Sequence, residues 1–204
     1  SPPQSLRELL RPLPEERIAT LVGRYYAMDR EENWALTKEA YDLMVRGSGT
    51  TLDYSALPTI ADNIYTKGLT EEFLPPFRFG PVERVIRDND AVLFFNYRED
   101  SIRQLAESFI NPEFDKFSVQ KFSNLFIATM TSYRDDFKVP VAFPPEFVTN
   151  PLGKVIAENG KIQLRLAESY KYAHVTYFFN GYAEPPFKNE YRVLIPSEPI
   201  AHPD

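Results

Sequence analysis

The 204 residues are 25% charged and 43% hydrophobic, the balance of a soluble globular protein long enough to build one ordinary core. A formal charge of -6 excludes a broad nucleic-acid-binding face, which needs clustered basic residues, but it leaves room for a few arginines gathered in one cleft. Cysteine is absent, which removes disulfides, thiolate metal ligands and a cysteine nucleophile. No apolar run reaches the length of a membrane helix and no signal-peptide pattern opens the chain, so a cytoplasmic location and no membrane partner are the expectation.

Ser5-Leu6-Arg7-Glu8 fits a capping box and predicts a short helix through Leu10. Arg17 to Val22 reads as a buried strand that ends at Gly23, where the backbone can turn sharply. Arg24 and Arg30 follow in the loop leaving that strand. Trp34 to Arg46 then has the apolar period of a helix, closed by Gly47-Ser48-Gly49-Thr50-Thr51. In an open α/β sheet, such a strand-to-helix crevice is where ligands bind. Pro58 to Lys67 predicts a second helix capped by Gly68, and Glu71 to Gly80 an irregular surface segment.

Val82 to Arg87 reads as a strand, followed by a turn at Asp88-Asn89-Asp90 and by Ala91 to Phe95, an apolar run suited to a strand buried on both faces. Asn96 to Ser101 is polar and carries Arg98, and Ile102 to Phe109 has helical spacing. A strand, an arginine-bearing loop and a helix therefore recur. Leu125 to Met130 predicts a strand, Leu152 to Glu158 a helix and Gln163 to Ala167 another strand. Tyr170 to Phe179 has a strand-like composition. The signals Glu168-Ser169 before it and Gly181 after it, together with a strand just ahead, favour a helix. Tyr191 to Ile195 closes the series as a strand, and the proline-rich residues 196-204 read as a linker. This alternation implies an α/β fold with a largely parallel sheet flanked by helices.

Several motifs fail on inspection. Asp88-Asn89-Asp90 lacks the glycine and distal glutamate of a calcium loop, and Gly47-Ser48-Gly49-Thr50 lacks the lysine of a P-loop. Two histidines without cysteine make a poor zinc set, and no Gly-x-Ser-x-Gly nucleophile elbow occurs. On residue type alone Arg24 and Arg30 are ordinary solvated arginines. Trp34 and Tyr41 read as core, and Asn96 suits a helix cap as readily as a ligand.

Four blocks carry a resemblance. Gly23 to Arg30 followed by Trp34, Phe94 to Asp100, Gln163 to Glu168, and Lys171 to Gly181 resemble the 2,3-bisphosphoglycerate-independent (cofactor-independent) phosphoglycerate mutase family, in the family's order. The part resembled is the phosphotransferase domain, a single inserted domain of a two-domain enzyme whose other domain is phosphatase-like and binds metal. The resemblance implies interconversion of 3-phosphoglycerate and 2-phosphoglycerate in glycolysis and gluconeogenesis. A serine and two Mn2+ of the other domain would move the phosphoryl group while this domain holds the glycerate. By motif position it implies Arg24, Arg30 and Arg98 as substrate-binding arginines and Lys171 as a phosphate-neutralising lysine. Arginine suits the task because its planar fork engages a carboxylate or phosphate through two hydrogen bonds and stays charged.

Three departures accompany the resemblance. Ser101 stands where the family has a second arginine of the Arg98 loop, with Arg103 two residues on as a candidate substitute that a helix would point elsewhere. A histidine and an Asp-Gly-Arg-Asp segment expected ahead of Ser1 are absent, and the serine nucleophile and metal ligands have no counterpart. The expectation is therefore an N-terminally trimmed domain over 1-204, with 196-204 leading toward the absent metal domain. It would be inactive alone, would hold no cofactor or metal of its own, and would be monomeric. Asp29 reads as orienting a neighbouring arginine or capping a turn rather than acting as a base, and His174 as a buried, hydrogen-bonded structural residue more than a catalyst. The competing expectation is a degenerate, non-catalytic anion-binding or interaction module of the same fold, with Ser101 as its supporting feature.

Overall fold

The computed structural model describes residues 18-56, 59-60, 66, 70-81 and 83-197. The helix expected near Ser5, most of that expected over Pro58 to Lys67, and all but the first two residues of the 196-204 segment lie outside the described residues. The chain divides into two compact units, Ser1–Pro144 and Pro145–Asp204.

In the first unit the elements are β1 (Thr20–Leu21), α1 (Arg24–Ala27), α2 (Trp34–Arg46), β2 (Thr50–Leu52), β3 (Phe77–Phe79), β4 (Ala91–Phe94), α3 (Arg103–Ile110) and β5 (Phe126–Thr129). The second unit holds α4 (Leu152–Glu158), β6 (Gln163–Glu168), α5 (Ser169–Ala173) and β7 (Glu190–Ile195). The expected helices over 34-46 and 152-158 are found at those bounds. A helix also replaces the strand alternative at Tyr170, with α5 running on into a π turn over His174–Phe178.

Parallel pairing dominates, in small separate sheets. β4 runs parallel to β5 with Phe94 opposite Thr129, and β6 runs parallel to β7 with Gln163 opposite Glu190. The third sheet has the order β1-β3-β2, with β2 parallel and β1 antiparallel to the central β3. Two expectations are corrected here. Phe77 to Phe79 is the middle strand of a sheet, with Phe79 fully buried, and Thr50–Leu52 is its neighbour. The strand expected over Val82 to Arg87 is not formed among the described residues 83-87, none of which lies in a strand.

α2 forms because its apolar residues recur on one side. Ala40, Tyr41, Leu43 and Val45 are buried, and Gly47 ends the helix in a left-handed conformation (φ 66°) that glycine adopts without a Cβ clash. Tyr41, Phe94, Leu105 and Tyr133 centre the core that packs α2 and α3 onto one face of β4. Each such buried side chain contributes roughly 1.5–3 kcal/mol. The other face of β4 is bare among the described residues: Leu93 and Phe95 are 55% and 71% exposed. The apolar run was expected to be buried on both faces, but α2 and α3 cover only the side that Phe94 faces. β6 and β7 are similarly inverted, with Leu164, Leu166, Tyr191 and Val193 outward and Gln163 and Glu190 inward.

Tyr133 fastens the end of β4. Its hydroxyl lies 2.7 Å from the Asn96 carbonyl and 3.1 Å from that of Phe94, and the residue is 1% exposed. Burial pushes this phenol up to about 12, against an ordinary value near 10. A raised folded-state value means stability is complete below pH 10 and is lost as pH climbs toward 12, by roughly 2–3 kcal/mol. Urea melts on either side of that window should show an alkaline loss smaller by about 2 kcal/mol in Tyr133→Phe than in the parent. An identical loss would refute the assignment.

Candidate functional site

The first arginine follows a close backbone approach. Gly23 donates its N–H to the Leu74 carbonyl at 2.8 Å, and a Cβ placed there would lie 2.0 Å from the Glu72 carbonyl oxygen. Only glycine fits that crossing. Arg24 opens α1 directly after it and places Nη2 2.5 Å from Glu72 Oε2, with the side chain largely exposed.

The loop from α1 to α2 is organised by Asp29. Its Oδ2 accepts from the N–H of Glu31 at 3.2 Å and of Asn33 at 2.8 Å, and its Oδ1 accepts from Asn33 Nδ2 at 3.0 Å. This is the local carboxylate-to-backbone turn that aspartate forms readily. From that loop Arg30 extends Nη1 to Asp100 Oδ2 at 3.0 Å.

The Arg98 loop between β4 and α3 meets it there. Arg98 donates Nε to Asp100 Oδ1 at 2.6 Å and Nη2 to Asp100 Oδ2 at 2.9 Å, a side-on fork. Arg30 and Arg98, far apart in sequence, thus share one carboxylate. The trio carries one net positive charge, and Arg98 keeps 59% of its side chain exposed. Burial raises the Asp100 carboxyl, but the hydrogen bonds and charges of Arg98 and Arg30 outweigh it and hold the group below its usual range. The Asp100 hydrogen bond in turn raises Arg98. Both groups therefore stay ionised across the neutral range.

Ser101, at the departure from the family pattern, places Oγ 3.4 Å from the Arg98 carbonyl. Arg103 starts α3 and directs Nε to the Tyr133 carbonyl at 2.6 Å and Nη2 to Glu99 at 3.0 Å. Burial raises the Glu99 carboxyl, with Arg103 opposing it.

In the second unit Lys171 sits on α5, 70% exposed and ion-paired with Glu168. That lysine lowers the Glu168 carboxyl, whose Oε2 also accepts from Ser197 Oγ at 3.3 Å. His174 was expected to be buried. It is exposed at the start of the π turn, with its ring stacked on Phe178 at 5.3 Å.

Sequence reasoning missed Asp100, Glu72 and Gln104 as organisers of the site. Gln104 carried a readable signal, as a polar residue among the apolar positions Ile102, Leu105 and Ala106. Among the described residues no group of three or more histidine, aspartate or glutamate side chains could hold a metal ion, and no helix is long and apolar enough to cross a membrane.

A family model described as BPG-independent PGAM N-terminus (iPGM_N) matches residues 3–135. A 2,3-bisphosphoglycerate-independent phosphoglycerate mutase of Akkermansia muciniphila is 44% identical over 196 residues, which are 95% of this chain and 38% of that protein. One of Acaryochloris marina is 42% identical over 209 residues, covering 98% of this chain and 39% of the relative. This chain therefore spans about two-fifths of the length of these relatives. A crystal structure of Leishmania mexicana phosphoglycerate mutase, determined at low cobalt concentration, shares the fold with a TM-score of 0.70. It is 24% identical, and the match covers 97% of this chain and 38% of that one. On the strength of the family match over residues 3–135 and the curated relatives, the chain belongs to the N-terminal family of BPG-independent phosphoglycerate mutases.

Proposed function

We propose that these residues are the substrate-holding, phosphotransferase part of a phosphoglycerate mutase that interconverts 3-phosphoglycerate and 2-phosphoglycerate. The observation that supports this most is the meeting of Arg30 and Arg98 on Asp100. Two guanidinium groups from separate loops, already gathered around one carboxylate, present a preorganised seat with a net positive charge to a small oxyanion. Arg24, ion-paired with Glu72, is assigned to the same role by motif position alone. In this reading the arginines hold the carboxylate end of the glycerate and keep its hydroxyls in reach while the phosphoryl group is away. Lys171, on the second unit, neutralises phosphate charge. Fixed cations of this kind stabilise developing charge in phosphoryl transfer because they need no reorganisation at the moment of reaction.

In this reading a phosphatase-like domain supplies the two Mn2+ and the serine nucleophile that the resemblance implies. A cytoplasmic, monomeric enzyme completes the proposal. The exposed apolar faces of β4 and of β6–β7 are consistent with burial against such a partner domain.

Titration of the chain with 3-phosphoglycerate, followed by the NMR signals of the arginine Nε–H groups, tests the reading. A saturable shift of the Arg30 and Arg98 signals, weaker with glycerol 3-phosphate, which lacks the carboxylate, is the expected result. No response to any phosphoglycerate would overturn it.

A further inference from the structure

Gln104 is buried at 9% exposure on α3, yet its amide touches three parts of the Arg30 loop and of the helix after it. Its Nε2 donates to Asp29 Oδ2 at 2.9 Å and to Thr37 Oγ1 at 3.1 Å. Its Oε1 accepts from the Glu32 N–H at 3.0 Å. Glu32 adopts φ 60°, a left-handed conformation that a non-glycine residue holds only with support. Asp29, which turns the loop at its start, receives its fourth donor from this amide. Gln104 therefore grips the loop on both sides of Arg30.

We propose that Gln104 is a positioning residue for anion binding: it holds the 29-33 loop so that the Arg30 guanidinium meets Arg98 at Asp100. The inference rests on the reading of Arg30 as a substrate ligand. The residue type matters here. Glutamate cannot donate to Asp29 and lysine cannot accept from Glu32, whereas one neutral amide does both and still reaches Thr37. Arg30 is thereby held through its loop, where Gln104 grips the flanking Asp29 and Glu32, and at its tip by Asp100. Both holds come from the start of α3 and its lead-in, so the helix carries the geometry from one arginine loop to the other.

The test is calorimetric titration of the 204-residue chain and two variants with 3-phosphoglycerate, with thermal melts and the Arg30 Nε–H signal recorded alongside. Gln104→Leu keeps the volume and removes all three hydrogen bonds. Gln104→Glu keeps the acceptor for Glu32 and turns a donor facing Asp29 into a second carboxylate. Each variant that remains folded should bind about tenfold more weakly, the equivalent of one lost hydrogen bond to a charged group. Its Arg30 signal should move while the Arg98 signal stays in place. If the parent binds and a folded variant binds equally well with an unmoved Arg30 signal, the inference is overturned and the functional reading stands. If the parent itself does not bind, the functional reading falls and takes the inference with it.

Discussion

Replacing Arg98 with alanine is expected to weaken 3-phosphoglycerate binding by about 10- to 100-fold, the equivalent of one charge-assisted interaction of roughly 1.5–3 kcal/mol. Arg98 is the most exposed member of the Arg30–Asp100–Arg98 trio, and its fork is braced side-on by Asp100. Its loss removes a donor edge and also cancels the net positive charge of the trio, leaving Asp100 to neutralise Arg30. Arg98→Lys should recover little of the binding, because an ammonium keeps the charge but cannot present two parallel N–H groups. Because the site is open to solvent, the difference between parent and variant should shrink as salt is raised. Calorimetry at two ionic strengths checks both points. Equal affinity in parent and Arg98→Ala at low salt would remove Arg98 from the site.

The second large effect is expected at Gly23. A Cβ at this position meets three backbone atoms, the Glu72 carbonyl oxygen at 2.0 Å, the Leu74 nitrogen at 2.6 Å and the Glu72 carbonyl carbon at 2.7 Å. No side-chain rotation relieves such a clash, so the strand exit and the 70-74 segment must move apart. That movement stretches the hydrogen bond from Gly23 to Leu74. Overpacking of this kind costs about 3 kcal/mol, which corresponds to a fall in melting temperature of about 10 °C for a chain of this size. Gly23→Ala should also pull Arg24 away from Glu72 and so alter the anion site. A melt within a degree or two of the parent would show that the crossing is looser than these distances imply.

Legibility in the sequence followed the range of the forces involved. The helix over Trp34–Arg46 was readable because its period and its closing glycine are local, and the helix over Leu152–Glu158 for the same reason. β3 was not, because Phe77–Phe79 is three residues long, follows two prolines, and owes its place to pairing with Thr50–Leu52 and Thr20–Leu21. No local pattern encodes a partner that distant. β4 was found, but its bare face was not, since an apolar run records a tendency to be buried and not what is present to cover it.

The site divides in the same way. Arg24, Arg30 and Arg98 were named from motifs, whereas Asp100 was passed over as one residue of a polar loop, although it brings two of them together. Asp29 was expected to orient an arginine or cap a turn. Its carboxylate caps the turn of the loop, accepting from the N–H groups of Glu31 and Asn33, with Gln104 as a partner 75 residues away that only a folded chain can supply. Arg103, weighed as a stand-in for the arginine missing at Ser101, is aimed at the Tyr133 carbonyl and Glu99 instead.

The outward-facing leucines and aromatics of the small parallel sheets bear on how the material will behave in the tube. Excluded salts such as sulfate strengthen every tendency to hide oily surface. Purified chain should accordingly salt out early and favour dilute, low-sulfate storage, in contrast to a protein of equal size whose sheets are fully clothed.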